Sequence, residues 1–286
     1  TTMAETRGDT FYVMDLTKVD ATVNTAVNEA DSLDSNYAAV YYPWVKVLDS
    51  ARNKPVLVPP SVIVPGAIAQ SDTIAAEWFA PAGLNRGVLG NVLEAKMRLN
   101  QSERDKLYEA KINPIATFPN SGFVIFGQKT LQNFRSALDR VNVRRMLLEV
   151  KRQIVDVALK IVFEANTPET RAKFVAQVTP ILSTIQSQEG IDKFKVIMDD
   201  SNNTAADAEA NRLNGQIILV PTRAVEFIAM DFIITNSGPF ASNLLAASSR
   251  LLHLVYCCAS ASFINKIFTC ETTRSSLSSA ISIHKF

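Results

Sequence analysis

The sequence predicts a mixed α/β fold in which a β-sheet is flanked by helices. Three observations carry that prediction. Short apolar runs bounded by turn residues alternate with longer segments whose apolar residues recur every three or four positions. The chain of 286 residues is 47% hydrophobic and 20% charged, the composition of a protein that buries cores and not of a disordered or membrane-embedded one. At that length it accommodates two domains, since one domain takes roughly 100–200 residues.

Taken in order, Thr10–Leu16 reads as a strand, and a polar helical stretch follows around Ala21–Leu33. Tyr37–Val47 is aromatic-rich core, helical or extended, with Pro43 limiting any continuous helix. Pro55, Pro59, Pro60 and Pro65 fix φ and lack donors, which predicts an irregular crossing in place of a central strand. Pro81-Ala82-Gly83 ends one element. Val88–Leu99 then reads as a helix with Val88, Leu89, Val92, Leu93 and Met97 on one side. Ser102 is expected to cap a helix over Glu103–Lys111, with acids in its first turn. Gly122–Gly127 is a short strand between glycines.

The longest periodic element spans about Asn142–Phe163, where Met146, Leu147, Val150, Ile154, Val157, Ala158 and Ile161 form an apolar stripe. Across from it Arg145, Glu149, Arg152, Asp156 and Lys160 alternate in sign. Each such pair contributes only about 0.2–0.5 kcal/mol, so burial of the stripe is what holds the helix. Thr167 as N-cap, Pro168 at the first position and Glu169 beside it open the next helix. Phe174, Val175, Val178, Leu182 and Ile185 point inward, and Pro180 is expected to kink it. Lys193–Asp199, Gln216–Pro221 and Val225–Ile234 read as strands. In the last, Val225, Phe227, Ala229 and Ile233 alternate with Ile228, Met230, Phe232 and Ile234, so both faces are expected to be buried. Residues 243–286 form a serine-rich, acid-poor tail whose apolar run, about 14 residues, is shorter than the ~20 that span a bilayer.

Composition excludes several functions. A net charge of +1 does not suit a strongly basic nucleic-acid binder. The three cysteines (Cys257, Cys258, Cys270) and two histidines (His253, His284) all lie in the tail. Before them, no disulfide framework, Cys/His zinc site or histidine-based triad can be built.

Local patterns each have a plain reading. Gly83–Gly90 ahead of an expected helix suggests a phosphate loop, but it lacks the Lys-Ser/Thr of a P-loop and the dinucleotide glycine spacing. A structural turn anchored by Trp78 and Arg86 is the better reading. Arg140, Arg144 and Arg145 could grip nucleic acid or an acidic partner surface, yet the helical ladder offers acids for at least Arg145, which favours a solvated or intramolecular ion-pair role. Asp199-Asp200 with Asn202-Asn203 is oxygen-rich like a calcium loop, but lacks the terminal glutamate and is ordinary turn chemistry.

Several of these pieces together resemble one family. Trp78-Phe79-Ala80-Pro81-Ala82-Gly83-Leu84-Asn85-Arg86-Gly87 is followed by Asp105-Lys106-Leu107-Tyr108, Ile112-Asn113-Pro114 and Asp139-Arg140-Val141-Asn142-Val143-Arg144-Arg145. Asp199–Thr204 and Pro221–Ile228 continue the series. This order is similar to that of contractile tail sheath proteins of bacteriophages and related injection machines, over roughly residues 35–235. The resemblance implies a sheet-and-helix domain of subtilisin-like topology, without proteolytic activity, over residues 1–115, its upstream half missing. It implies a C-terminal α+β sheath domain over 116–242, and leaves 243–286 as an atypical tail. It further implies a helical homo-oligomer around a tail tube protein, with baseplate and tail terminator proteins as neighbours, in the virion and, during assembly, the host cytoplasm. No cofactor, direct nucleic-acid contact or membrane insertion is implied. Strand exchange between subunits would link the lattice, with Val225, Phe227, Ile228, Met230, Phe232 and Ile234 as the candidate inter-subunit sheet. The alternative is a soluble α/β enzyme acting on a phosphorylated substrate through carboxylates or lysine. Glu77, Asp105 and Glu149 are available to it, but no spacing pairs them.

Overall fold

Two faces of one sheet organise most of the chain, for which the computed structural model describes residues 1–19 and 21–228. In order the elements are α1 (Thr2–Arg7), β1 (Tyr12–Met14), α2 (Val23–Asp31), β2 (Ala38–Tyr42), β3 (Val45–Asp49), β4 (Lys54–Val58), α3 (Pro60–Ile74), β5 (Val92–Ala95), α4 (Gln101–Glu109), β6 (Ile112–Phe118), β7 (Gly122–Ile125), α5 (Val141–Leu159), α6 (Pro168–Ser187), β8 (Ile191–Ile197), α7 (Ala205–Glu209) and β9 (Gln216–Pro221). The fold is mixed α/β, as expected. β1, β2 and β6 are parallel neighbours and β7 closes the row antiparallel.

β2 shows why this sheet lies inside. All five of its residues are buried, and alternation sends them to opposite cores. Ala38, Val40 and Tyr42 join Val23, Ala26 and Ala30 of α2 and Leu107 of α4. Ala39 and Tyr41 join Val64 and Ala67 of α3, Val45 of β3 and Ile125 of β7. A second, three-stranded antiparallel sheet, β4-β3-β5, packs into this latter core through Val45, Val47, Val58 and Val92. A third core is built from α5, α6, β8 and β9: Met146, Val150, Phe174, Val178, Leu182 and Ile191, with Phe194, Ile217 and Leu219 packed on it.

Four expectations are corrected. The proline-rich stretch is not an irregular crossing. Pro55 sits in β4, an edge strand, and Pro60 occupies the first turn of α3, where its missing N–H costs nothing. Pro65 lies inside α3. Residues 88–99 are not a helix. The Leu89 amide donates to Phe123 O (2.8 Å), Val88 bridges Val124, and Val92–Ala95 pairs with β3, so sheet edges capture the segment. The cap of α4 is Asn100, not Ser102: its side chain accepts from Glu103 N (2.8 Å) while the Glu103 carboxylate accepts from Asn100 N (2.9 Å). Arg145 also leaves the surface ladder, as described below. Elsewhere α6 begins at Pro168 with Thr167 capping Thr170, as its sequence announced.

Candidate functional site

The family-like residues converge on the seam where the sheet domain meets α5 and α6. The turn after Trp78 is fixed by backbone bonds. Gly83 adopts φ 83° and donates to Ile125 O, Gly87 donates to Gly83 O, and Ile125 donates to Gly87 O, each at 2.8 Å. Pro81 and Gly87 are buried, Ala82 packs on the core beneath, and Leu84 and Asn85 form the exposed tip. Arg86 donates to Ala80 O (3.2 Å) and stacks 5.0 Å over Phe79. Both glycine amides are thus spent on protein carbonyls and no helix follows. The phosphate-loop alternative loses its anion site.

The seam itself is stitched through main-chain carbonyls. Asn142, at the start of α5, donates to Trp78 O (3.1 Å), and Trp78 Nε1 donates to Gln188 O beyond α6 (2.9 Å). Gly190 lies against the Trp78 ring, where an added Cβ would come within 2.9 Å. Arg145 donates to Glu77 O (3.2 Å) and pairs with Asp72 of α3. Arg144, 2% exposed, donates to Asn36 Oδ1 (3.0 Å) with its guanidinium 3.3 Å from the Tyr37 ring centre. Burial pulls its pKa down from the usual arginine value. Arg140 pairs with Asp139 (3.0 Å), whose carbonyl accepts from Thr130 N. These arginines are engaged within the chain, and Arg144 and Arg145 hold the seam.

The remaining signature residues support the crossing toward α5. Asn113, fully buried in β6, donates to Val40 O and Lys129 O and accepts from Lys129 N. Lys129 in turn lies 4.2 Å over the Tyr108 ring and donates to Tyr108 O. Asp105 is exposed on α4 and is not part of this group.

Glu77 and Glu149, which no sequence spacing pairs, are brought together by the fold. Their carboxyls lie close enough to influence each other, with Arg152 and Gln153 hydrogen-bonded to Glu149 and with Asp72 and Arg145 alongside Glu77. Burial and then the neighbouring Glu149 charge push Glu77 up, while Arg152 holds Glu149 below the usual carboxylate range. The fold therefore favours the protonated form of Glu77 and the charged form of Glu149. A raised folded pKa contributes stability that is complete below the ordinary glutamate range and lost as pH rises through the folded value. Glu149 contributes in the opposite sense, losing its share as pH falls. Glu77→Gln removes the titration. Its thermal midpoint is expected to exceed the parent's on the high side of a scan from about pH 4 to 7, and the two curves should meet on the low side. Parallel curves would refute the upward shift of Glu77.

Toward the C-terminus the oxygen-rich loop is turn chemistry. Asp199 accepts from Ser201 N, Asn202 accepts from Asp199 N, and Asp200 pairs with Arg171 at 2.7 Å. Among the described residues no three His, Cys, Asp or Glu are grouped to hold a metal. The buried strand expected at Val225–Ile234 is not formed where it can be seen. Val225, Phe227 and Ile228 carry no strand pairing and are 80%, 58% and 63% exposed, while Met230, Phe232 and Ile234 lie outside the described residues. Sequence reasoning places Asn203 in an ordinary turn and misses its reach, for it holds both backbone groups of Asn214. An Asn two residues into a polar turn gave no signal of that reach.

Comparison with known proteins bears on this seam. A family model described as phage tail sheath protein central domain matches residues 3–131, and one described as phage tail sheath C-terminal domain matches residues 135–235. The tail sheath protein of Vibrio phage KVP40 is 32% identical over 221 residues, 77% of this chain and 33% of that protein. That of Enterobacteria phage T4 is 31% identical over 211 residues, 72% of this chain and 31% of that protein. The chain thus spans about a third of the length of these curated relatives. Among solved structures, the contracted PVC sheath complex of an extracellular contractile injection system superposes with a TM-score of 0.69 at 26% identity, covering 82% of this chain and 65% of that one. The contracted baseplate structure of the anti-feeding prophage gives 0.69 at 26%, covering 83% and 67%.

Proposed function

Because this chain belongs to the phage tail sheath family, we propose that it is the part of a sheath subunit that packs in a helical lattice around a tail tube. The full-length protein would polymerise in an extended state and rearrange into a wider, shorter one, driving the tube through the host envelope. Its partners would be other sheath subunits, the tube protein, and the baseplate and terminator proteins that bound the lattice, in the phage tail and, before that, the host cytoplasm. No catalytic residue or cofactor enters this account. Among the described residues no helix is long and apolar enough to cross a membrane.

The observation that carries the reading is the pair of adjoining family matches joined by one stitched seam. A subunit that moves as a rigid body must transmit load between its regions without opening. Trp78, Asn142, Arg144 and Arg145 suit that need, because each reaches across from α5 or the linker to a fixed partner. We assign subunit linkage to β8–β9 and the segment after it. β8 and β9 form a two-stranded sheet with each outer edge unpaired among the described residues, open to strands from neighbours. Exposed Val225, Phe227 and Ile228 suit such a joint better than an internal strand.

Negative-stain microscopy of the full-length protein tests this. Tubes or stacked rings are expected. A monodisperse monomer that turns over a phosphorylated substrate would replace this reading with the enzyme alternative.

A further inference from the structure

We infer that Asn214 is a site of spontaneous covalent modification, in which the Gly215 amide nitrogen closes on the Asn214 side chain and expels ammonia at the head of β9. Asn214-Gly215 is the single Asn-Gly pair in the sequence, and both residues are exposed between α7 and β9. Glycine offers no Cβ to shield the nitrogen and lets the backbone reach the closing geometry. The Gly215 amide makes no hydrogen bond among the described residues.

A second feature activates that nitrogen. Buried Asn203 donates from Nδ2 to the Asn214 carbonyl (2.9 Å) and accepts from Asn214 N (2.7 Å). A donor on the carbonyl of the Asn214–Gly215 peptide polarises that peptide and favours loss of its amide proton. The competing Asn120-Ser121 pair has the opposite arrangement, its Ser121 amide being committed to Phe118 O (3.2 Å). The Asn214 side chain bonds the half-buried carboxylate of Asp207, which also accepts from Thr204 N and Oγ1.

The steps balance without oxidant or reductant. The Gly215 nitrogen gives its proton to solvent and bonds to Asn214 Cγ, and the Cγ–Nδ2 bond breaks as ammonia leaves with that proton equivalent. Water then opens the five-membered imide at either carbonyl, giving aspartate or isoaspartate. Aspartate replaces a donor to Asp207 with a second negative charge. Isoaspartate lengthens the main chain by one carbon between the Asn203 grip and Gln216, which pairs with Ile197 in the first rung of β9. Isoaspartate thereby disturbs the head of the β8–β9 sheet, so chain age is written into that element.

The purified chain is incubated at physiological temperature and mildly alkaline pH. Peptide mapping, with isoaspartyl methyltransferase labelling, then follows each asparagine. Conversion is expected at Asn214 first, and Gly215→Ala is expected to slow it about tenfold or more. That variant folds, because its Cβ meets only the flexible end of Met198 (Cε, 2.7 Å). Asn203→Ala should slow conversion as well, which exposure of the pair alone would not predict. An Asn214 that stays intact while Asn120 converts, or an unchanged rate in Gly215→Ala, overturns the inference.

Discussion

Gly87→Ala is expected to cost about 3 kcal/mol of folding stability, read as a lowered denaturant midpoint at unchanged slope. An added Cβ would sit 2.7 Å from Ile125 O, 2.9 Å from Ala82 Cα and 2.9 Å from Gly83 N. All three are backbone atoms, so no rotamer change relieves the contact. Relief requires moving Gly87 away from β7, which breaks the reciprocal bonds of the turn (Ile125 N to Gly87 O, Gly83 N to Ile125 O). The turn positions Trp78 through Pro81, so loss there should also loosen the Trp78–Gln188 bond across the seam. Gly66→Ala supplies the control. That glycine lies within α3 with nothing within 4 Å of the new Cβ, and alanine there should stabilise by up to about 1 kcal/mol. Equal effects at the two positions would mean that the close approach at Gly87 is not what requires glycine.

What could be read from the sequence was what depends on neighbours along the chain. α5 and α6 follow from a three-and-four repeat, and Thr167-Pro168-Glu169 marks its own helix start. The capping box at α4 is equally local, with Asn100 three residues before Glu103, although Ser102 between them is the more obvious capping residue. Residues 88–99 show the limit. Their apolar spacing suits a helix, but the edges of β7 and β3 supply hydrogen bonds that a spacing rule cannot see. Pro60 reads as a breaker until its place at the first turn of α3 is known.

The site was legible as residue identities and not as partners. Trp78, Gly87, Asn113 and Arg145 stand out as a series, yet each works through a distant group. Arg145 pairs with Asp72, 73 residues upstream, and not with the acids on its own helix face. Glu77 and Glu149 sit in different elements, and only the packing of the linker onto α5 brings their carboxyls together. That contact arms no chemistry. Arg152 and Gln153 already occupy Glu149, so the pair serves as a fastening.

Asn113→Ala is expected to cost about 3–5 kcal/mol of folding stability. Asn113 is 0% exposed and satisfies three backbone groups: Val40 O (3.1 Å), Lys129 O (2.8 Å) and Lys129 N (2.7 Å). Truncation leaves them without this partner in a site closed to water, and each orphaned buried group costs about 1–3 kcal/mol. Longer or charged replacements do no better. Gly127 approaches Asn113 so closely that a Cβ there would lie 2.9 Å from Oδ1, which leaves no room for glutamine. Aspartate would set a charge against two carbonyl oxygens. The damage should spread, because residues 128–130 bond onward to Val141 N and Asp139 O at the head of α5. Amide exchange at Lys129 and through the first turn of α5 should therefore accelerate in Asn113→Ala while α6, held by its own core, keeps its protection. A variant within about 1 kcal/mol of the parent would mean that water fills the vacated place. In that case the crossing between the two sheath regions would be held by Asn142, the α5 arginines and Trp78.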